Sequence, residues 1–247
     1  MQAKRRHSQT DRIVFDGHDL SSLVYCKVRR PVMATTSPTF EDIDGRHGET
    51  FKAQRRVGYD LTVDMWLRVE DRRQVAEARH RLAEWLYTDE PKPLYLPDDP
   101  TRYLLAIVSG STDLDEITDE CPTCSVTFRI GDPDYYGRTR KMTISGTSEV
   151  SFAVGGTLPA YIKVTAKPTS SQTSWRITNT DTGEYVEVSA TLSSSSTIRL
   201  DFAREHATVN NNTVAIAIAS DYFTVSGRAH LKISNGSAEI EWVERWL

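Results

Sequence analysis

Few residues in this chain are spaced for chemistry, and the sharpest pattern is Cys121-Pro122-Thr123-Cys124. Thiolates at that spacing serve zinc binding or dithiol exchange. A structural zinc takes four ligands, and no second pair exists. A redox dithiol opens a helix, whereas strand-type residues follow Cys124. Cys121 and Cys124 therefore read as a pair at the start of a strand, a metal site only if copies of the chain share ligands. Asp42-x-Asp44-Gly45 begins like a calcium loop but lacks the downstream glutamate. The acidic run Asp113, Asp115, Glu116, Asp119 and Glu120 offers cation-binding oxygens that nothing orders, and reads as a solvated loop. Six histidines are scattered without metal-ligand spacing. No nucleophile elbow, phosphate loop or dinucleotide fingerprint occurs. No catalytic residue and no cofactor is assigned, and the expectation is a non-enzyme. The remaining enzymatic reading is a hydrolase drawing two carboxylates from distant strands. Trp175, Tyr185, Tyr222 and Phe223 have rings suited to stacking on sugars, although alternating core or strand-edge aromatics are the commoner use of such residues.

The elements that would position these residues are mostly strands. Ile13 to Leu20 reads as a strand, an Asp-Gly turn and a re-entry. Val24, Cys26 and Val28 alternate until Arg29-Arg30-Pro31 ends the strand. Thr35 to Glu49, rich in Thr, Ser, Pro, Asp and Gly, reads as a long loop. Phe51 to Leu67 reads as one long strand, the second arm of an extended hairpin, with a bulge or bend at Gly58. Within it Tyr59, Leu61, Val63, Met65 and Leu67 share a face, and Asp60, Thr62, Asp64 and Trp66 share the other. Arg72 to Tyr87 is the one helix, with Val75, Ala78, Leu82 and Trp85 or Leu86 at helical spacing, Asp71 as N-cap and Pro91 and Pro93 beyond. From Lys141 onward the texture is Ser/Thr-rich with short alternating runs. Trp175 to Thr178 and Tyr185 to Val188 flank a turn, Ile198, Leu200 and Phe202 alternate, and so do Val214, Ile216 and Ile218. Strands at this spacing predict a β-sandwich.

At 247 residues the chain has room for one large β domain or two ordinary ones. The punctuation at Gly131-Asp132-Pro133-Asp134 divides it into residues 1–137 and 138–247. The formal charge of −4 gives no warrant for a nucleic-acid binder, although Lys4-Arg5-Arg6-His7 makes a basic polar start. No stretch matches a membrane span or a signal peptide, and three cysteines do not make a disulfide framework.

The order of these motifs resembles a known family. Phe15-Asp16-Gly17-x-Asp19-Leu20, the Gly45-x-x-Gly48 turn, the alternating strand to Leu67, the helix and Asp132-Pro133 resemble the first half of the distal tail proteins of long-tailed, non-contractile bacteriophages. Ile198-Arg199-Leu200-Asp201-Phe202, Tyr222-Phe223-x-Val225-x-Gly227 and the closing Glu244-Arg245-Trp246-Leu247 are similar to the second half. The Cys-x-x-Cys is no part of that pattern, and the chain has no room for the inserted sugar-binding module of some relatives. The resemblance implies a mainly β fold, with a β-sandwich-like, ring-forming N-terminal domain carrying one α-helix and a galectin-like C-terminal β-sandwich. It implies a homo-hexamer between the tail tube protein and tail-tip or tail-associated proteins such as a fibre or lysin. DNA would pass through the lumen without specific binding, no membrane would be involved, and the protein would be made in the host cytoplasm and carried in the virion tail tip. On that expectation Asp44, Gly45, Arg46, His47, Gly48, Phe51 and Tyr59 are subunit-interface candidates, and Asp113, Asp115, Glu116, Asp119 and Glu120 face the lumen. The alternative expectation is a carbohydrate-binding module recognising the host cell wall.

Overall fold

The computed structural model describes residues 12–115 and 122–247. The chain divides into two compact units, residues 1–135 with Leu247, and residues 136–246. Both are built from antiparallel strands, and the described residues contain one α-helix.

In the first unit the strands pair in the order Val14–Phe15, Lys92–Leu96, Asp99–Ser109, Thr123–Ile130, Tyr59–Leu67, Val24–Arg29. The chain enters through a two-residue hairpin. Asp16 and Gly17 both take positive φ (47° and 80°), as a turn matching the strand twist requires. Period-two alternation then sorts side chains: Tyr59, Leu61, Val63, Met65 and Leu67 are buried while their neighbours are not. The helix Arg72–Leu86 adds Val75, Ala78, Leu82 and Leu86 to the same core. Its start is fixed by Asp71, whose carboxylate accepts from the backbone N–H of Arg73 (2.8 Å) and Gln74 (3.0 Å). Phe15 meets Phe128 edge-on at 5.2 Å in the centre.

Two expectations are corrected here. The segment read as a long loop is largely a strand, Thr36–Asp42, and it pairs with Glu49–Arg56 in a two-stranded sheet of its own. Threonine is at home in a strand, and the one proline, Pro38, is tolerated because this strand has a partner on one side only. The expected single strand from Phe51 to Leu67 is two strands with different partners, broken at Val57-Gly58. The break follows from close backbone approach: a Cβ on Gly58 would lie 2.6 Å from the Ile130 carbonyl oxygen.

The second unit is two stacked sheets. One runs Asn212–Thr213, His206–Val209, Ile198–Asp201, Ile162–Lys167, Ser237–Trp246, Tyr135–Ser145, and the other Val150–Ala153, Arg228–Ile233, Gln172–Asn179, Tyr185–Leu192. Their inner faces share a core that includes Trp175, Ile177, Val188, Phe202, Phe223, Leu231 and Ile240. The Trp175 indole is fully buried and spends its N–H on the Asn235 carbonyl (2.8 Å). The expected strand at Val214 to Ile218 is absent. Only Ile216 bridges, to Val188, and Ile218 is fully exposed.

Candidate assembly interface

The Thr36–Asp42 and Glu49–Arg56 hairpin is an arm without a core. Almost every residue on it is exposed. Phe40 and Phe51 are paired across the strands, their rings edge-on at 5.9 Å, and remain half exposed (50 % and 56 %). At the tip Arg46 N–H closes a turn on the Ile43 carbonyl (3.1 Å), and Gly45 and Gly48 hold positive φ of 79° and 83°. Lys52 pairs with Glu41 at 3.0 Å on the surface, where such a pair contributes little. Five of the residues singled out in the sequence, Asp44, Gly45, Arg46, His47 and Gly48, therefore sit together at the tip, with Phe51 on the shaft.

Tyr59 does not join them. It is 8 % exposed in the core of the first unit, and burial together with the hydrogen bond to Tyr135 raises its phenol pKa. It sits with Leu61 and Val63 on the buried face of its strand, and lines the recess beside the foot of the arm rather than the arm itself.

The foot of the arm is held firmly. Val57 N–H donates to the Thr35 carbonyl at 2.8 Å. Arg56 forms an ion pair with Asp134, a carboxylate only 1 % exposed. Asp134 N–H in turn donates to the Asp132 carboxylate at 3.1 Å. Beside this foot lies an open recess of about 160 Å³, lined among others by Pro31, Val32, Met33, Tyr59, Pro133 and Tyr135. Val32 is fully exposed and Met33 66 % exposed at its rim. The sequence carried a weak sign of this site, since Val32 and Met33 stand as an apolar pair in a polar segment, but its walls come from three distant stretches of chain.

The other candidates are placed as follows. Glu116, Asp119, Glu120 and Cys121 lie outside the described residues, as does the basic stretch Lys4 to His7. Asp113 is exposed, and Asp115 ends the short strand Leu114–Asp115 beside Thr123–Ile130. Cys124 and Cys26 are free thiols on the two strands flanking Met65. Two strand spacings separate them by about 9–10 Å, too far for a disulfide. Burial pushes the Cys26 thiol up from its ordinary 9.0 to about 12 and raises that of Cys124 as well. Among the described residues no three His, Cys, Asp or Glu side chains gather as a metal site. Of the four aromatics suited to sugars, Trp175 and Phe223 are buried, Tyr222 is edge-on to Phe202 at 5.2 Å, and Arg176 covers the Tyr185 ring at 4.1 Å. A further polar cluster, unremarked in the sequence, joins His230 Nδ1 to Asp181 at 2.7 Å. That contact holds the Asp181 carboxyl below its usual range. It pins the 179–183 turn to its neighbouring strand.

Comparison with known proteins follows the same division. Residues 15–130 match the family model of the phage tail protein RIFT-related domain, and residues 155–246 match that of the siphovirus-type tail component, C-terminal domain. Between them the two models account for most of the chain. It belongs to the siphovirus distal tail protein family. Members of that family are structural components of phage tails. In fold the chain is similar to the crystal structure of phage SPP1 Dit, described as a hub adsorption apparatus in phages infecting Gram-positive bacteria. That match has a TM-score of 0.81 at 17 % identity, covering 96 % of this chain and 99 % of the other. A chain in the activated phage p2 baseplate with Sr matches at a TM-score of 0.58 and 8 % identity, covering 94 % and 97 %. No curated protein matches the sequence significantly. No helix among the described residues is long and apolar enough to cross a membrane.

Proposed function

We propose that this chain is the hub of a siphovirus tail tip, a homo-hexameric ring that takes the tail tube protein on one side and tail-tip or tail-associated proteins on the other. The first unit, with residues to 137, builds the ring. The alternating strand Tyr59–Leu67 belongs to its wall, and the arm laps onto the neighbouring subunit. The second unit faces outward. DNA passes through the lumen without specific binding, past acidic residues that include Asp113. The protein does its work in the virion, and its task is mechanical rather than catalytic.

One observation carries this reading: the arm. A lone two-stranded hairpin is marginal in water. This one leaves Phe40, Ile43 and Phe51 exposed and keeps both outer edges unpaired. Such a feature makes sense when another surface covers it. A contact between an arm and a different surface of the next copy is heterologous, and closes into a ring when the rotation suits.

The test is direct. Electron microscopy of the purified protein and of virions labelled on this chain is expected to show rings and label at the tail tip. Removing residues 43–48 is expected to abolish rings while leaving the melting of the two units unchanged. Tail tips that lack this chain, or rings unaffected by the deletion, would defeat the proposal.

A further inference from the structure

We propose that the recess beside the foot of the arm is the socket for Phe51 of a second copy of this chain. The inference rests on the assembly reading above and names the contact that assembly would use.

Size comes first. An apolar cavity of about 150 Å³ takes up a benzene molecule, and this recess measures about 160 Å³. Its walls suit a ring: Pro31, Pro133, Tyr59 and Tyr135 supply flat apolar faces, with Val32 and Met33 at the mouth. Its one charged wall side chain, Arg56, is engaged with Asp134, and Leu247 also lines the recess.

Reach then decides between the chain's own ring and a neighbour's. Phe51 stands five residues before Arg56 on one continuous strand. At about 3.4 Å per residue it lies roughly 17 Å out from its own foot, and the pinned foot prevents the arm from folding back. A second copy has no such restriction. The same molecule thus carries an uncovered ring and, elsewhere, an unfilled socket. That combination produces head-to-tail association.

Charge does not oppose the contact. Beside the socket Arg29, Arg30 and Arg56 are each already paired with an aspartate, Asp64, Asp98 and Asp134, so none of these three guanidinium groups is left without a counter-charge when a ring enters.

The experiment uses the full chain in assembled tails. Met33→Cys and Phe51→Cys are made singly and together in a chain whose native Cys26, Cys121 and Cys124 are replaced by serine, and tails are oxidised and run without reductant. The double variant is expected to give a ladder of covalently linked copies, and each single variant none, since a head-to-tail contact never juxtaposes like residues. Separately, Phe51→Ala is expected to weaken self-association by about tenfold or more, the loss typical of one truncated anchor, with Phe51→Leu retaining part of it. Because Phe51 is exposed, the melting temperature of the monomer should not move. Tails that assemble normally but give no ladder in the double variant overturn the socket and leave the hub reading standing. Absence of this chain from tails, with no self-association, overturns both.

Discussion

At the scale of single residues, Gly58 and Cys26 carry the clearest consequences. Gly58 sits where two backbones nearly touch, so a methyl group there must push the Ile130 carbonyl away. Gly58→Ala is expected to destabilise the first unit by about 1–3 kcal/mol, as overpacking does, and a thermal melt resolving the two units would read it. Cys26 is a half-buried thiol whose desolvation pushes its pKa up from 9.0 to about 12. Its folded pKa is raised, so its contribution to stability is intact below pH 9. That contribution is lost as the pH climbs from 9 toward 12, because the unfolded thiol ionises first. Alkylation followed by mass spectrometry at pH 8 is expected to modify Cys26 more slowly in the native protein than in denaturant. Equal rates in the two states would contradict the raised pKa.

At the scale of elements, what the sequence revealed and what it concealed divide along a physical line. The helix and the Tyr59–Leu67 strand were legible because one-sided burial writes its period into the residues themselves. Asp71 was legible as a cap because its role is local, and Asp71→Ala is expected to cost about 1 kcal/mol. Hydrogen exchange at Arg73 and Gln74 should rise with it. The arm was legible in its second strand, as part of a hairpin, but not in its first. Both its faces meet water, so it has no apolar alternation, and its polar, proline-containing first strand looks like a loop. Tyr59 was legible as an inward-facing residue of an alternating strand, but its place in the wall of the recess was not, because that wall is assembled from distant segments. The socket had almost no local signature, since Pro31, Tyr59 and Pro133 meet only in the folded unit.

At the scale of the whole molecule, each unit has a self-contained apolar cluster, which licenses separate stability tests. Trp175→Ala removes the largest fully buried side chain of the second unit and its hydrogen bond to Asn235. It is expected to cost about 3–5 kcal/mol, visible as a lowered transition for residues 136–246 with the other transition unmoved. A single shifted transition would show that the units melt together. The family was legible from the order of turns and strands, whereas the division of labour among the aromatics was not. Sequence alternation marks an inward face without saying which rings a cation or another ring then covers, as Arg176 covers Tyr185.

The strand Ser237–Trp246 lies in the interior of its sheet, with Ile162–Lys167 on one side and Tyr135–Ser145 on the other. This bears on how the protein is born. The strands of the first unit are all present once Ile130 has left the ribosome, but the second unit lacks a central strand until Trp246 emerges. At roughly 5–20 residues per second, a nascent chain would spend on the order of 5–20 s with one finished unit and one open sheet. Chains stalled before residue 237 are expected to yield a protease-resistant first unit and a digestible second one. Stop codons placed within residues 237–246 are expected to leave residues 136–236 unable to complete their sheet.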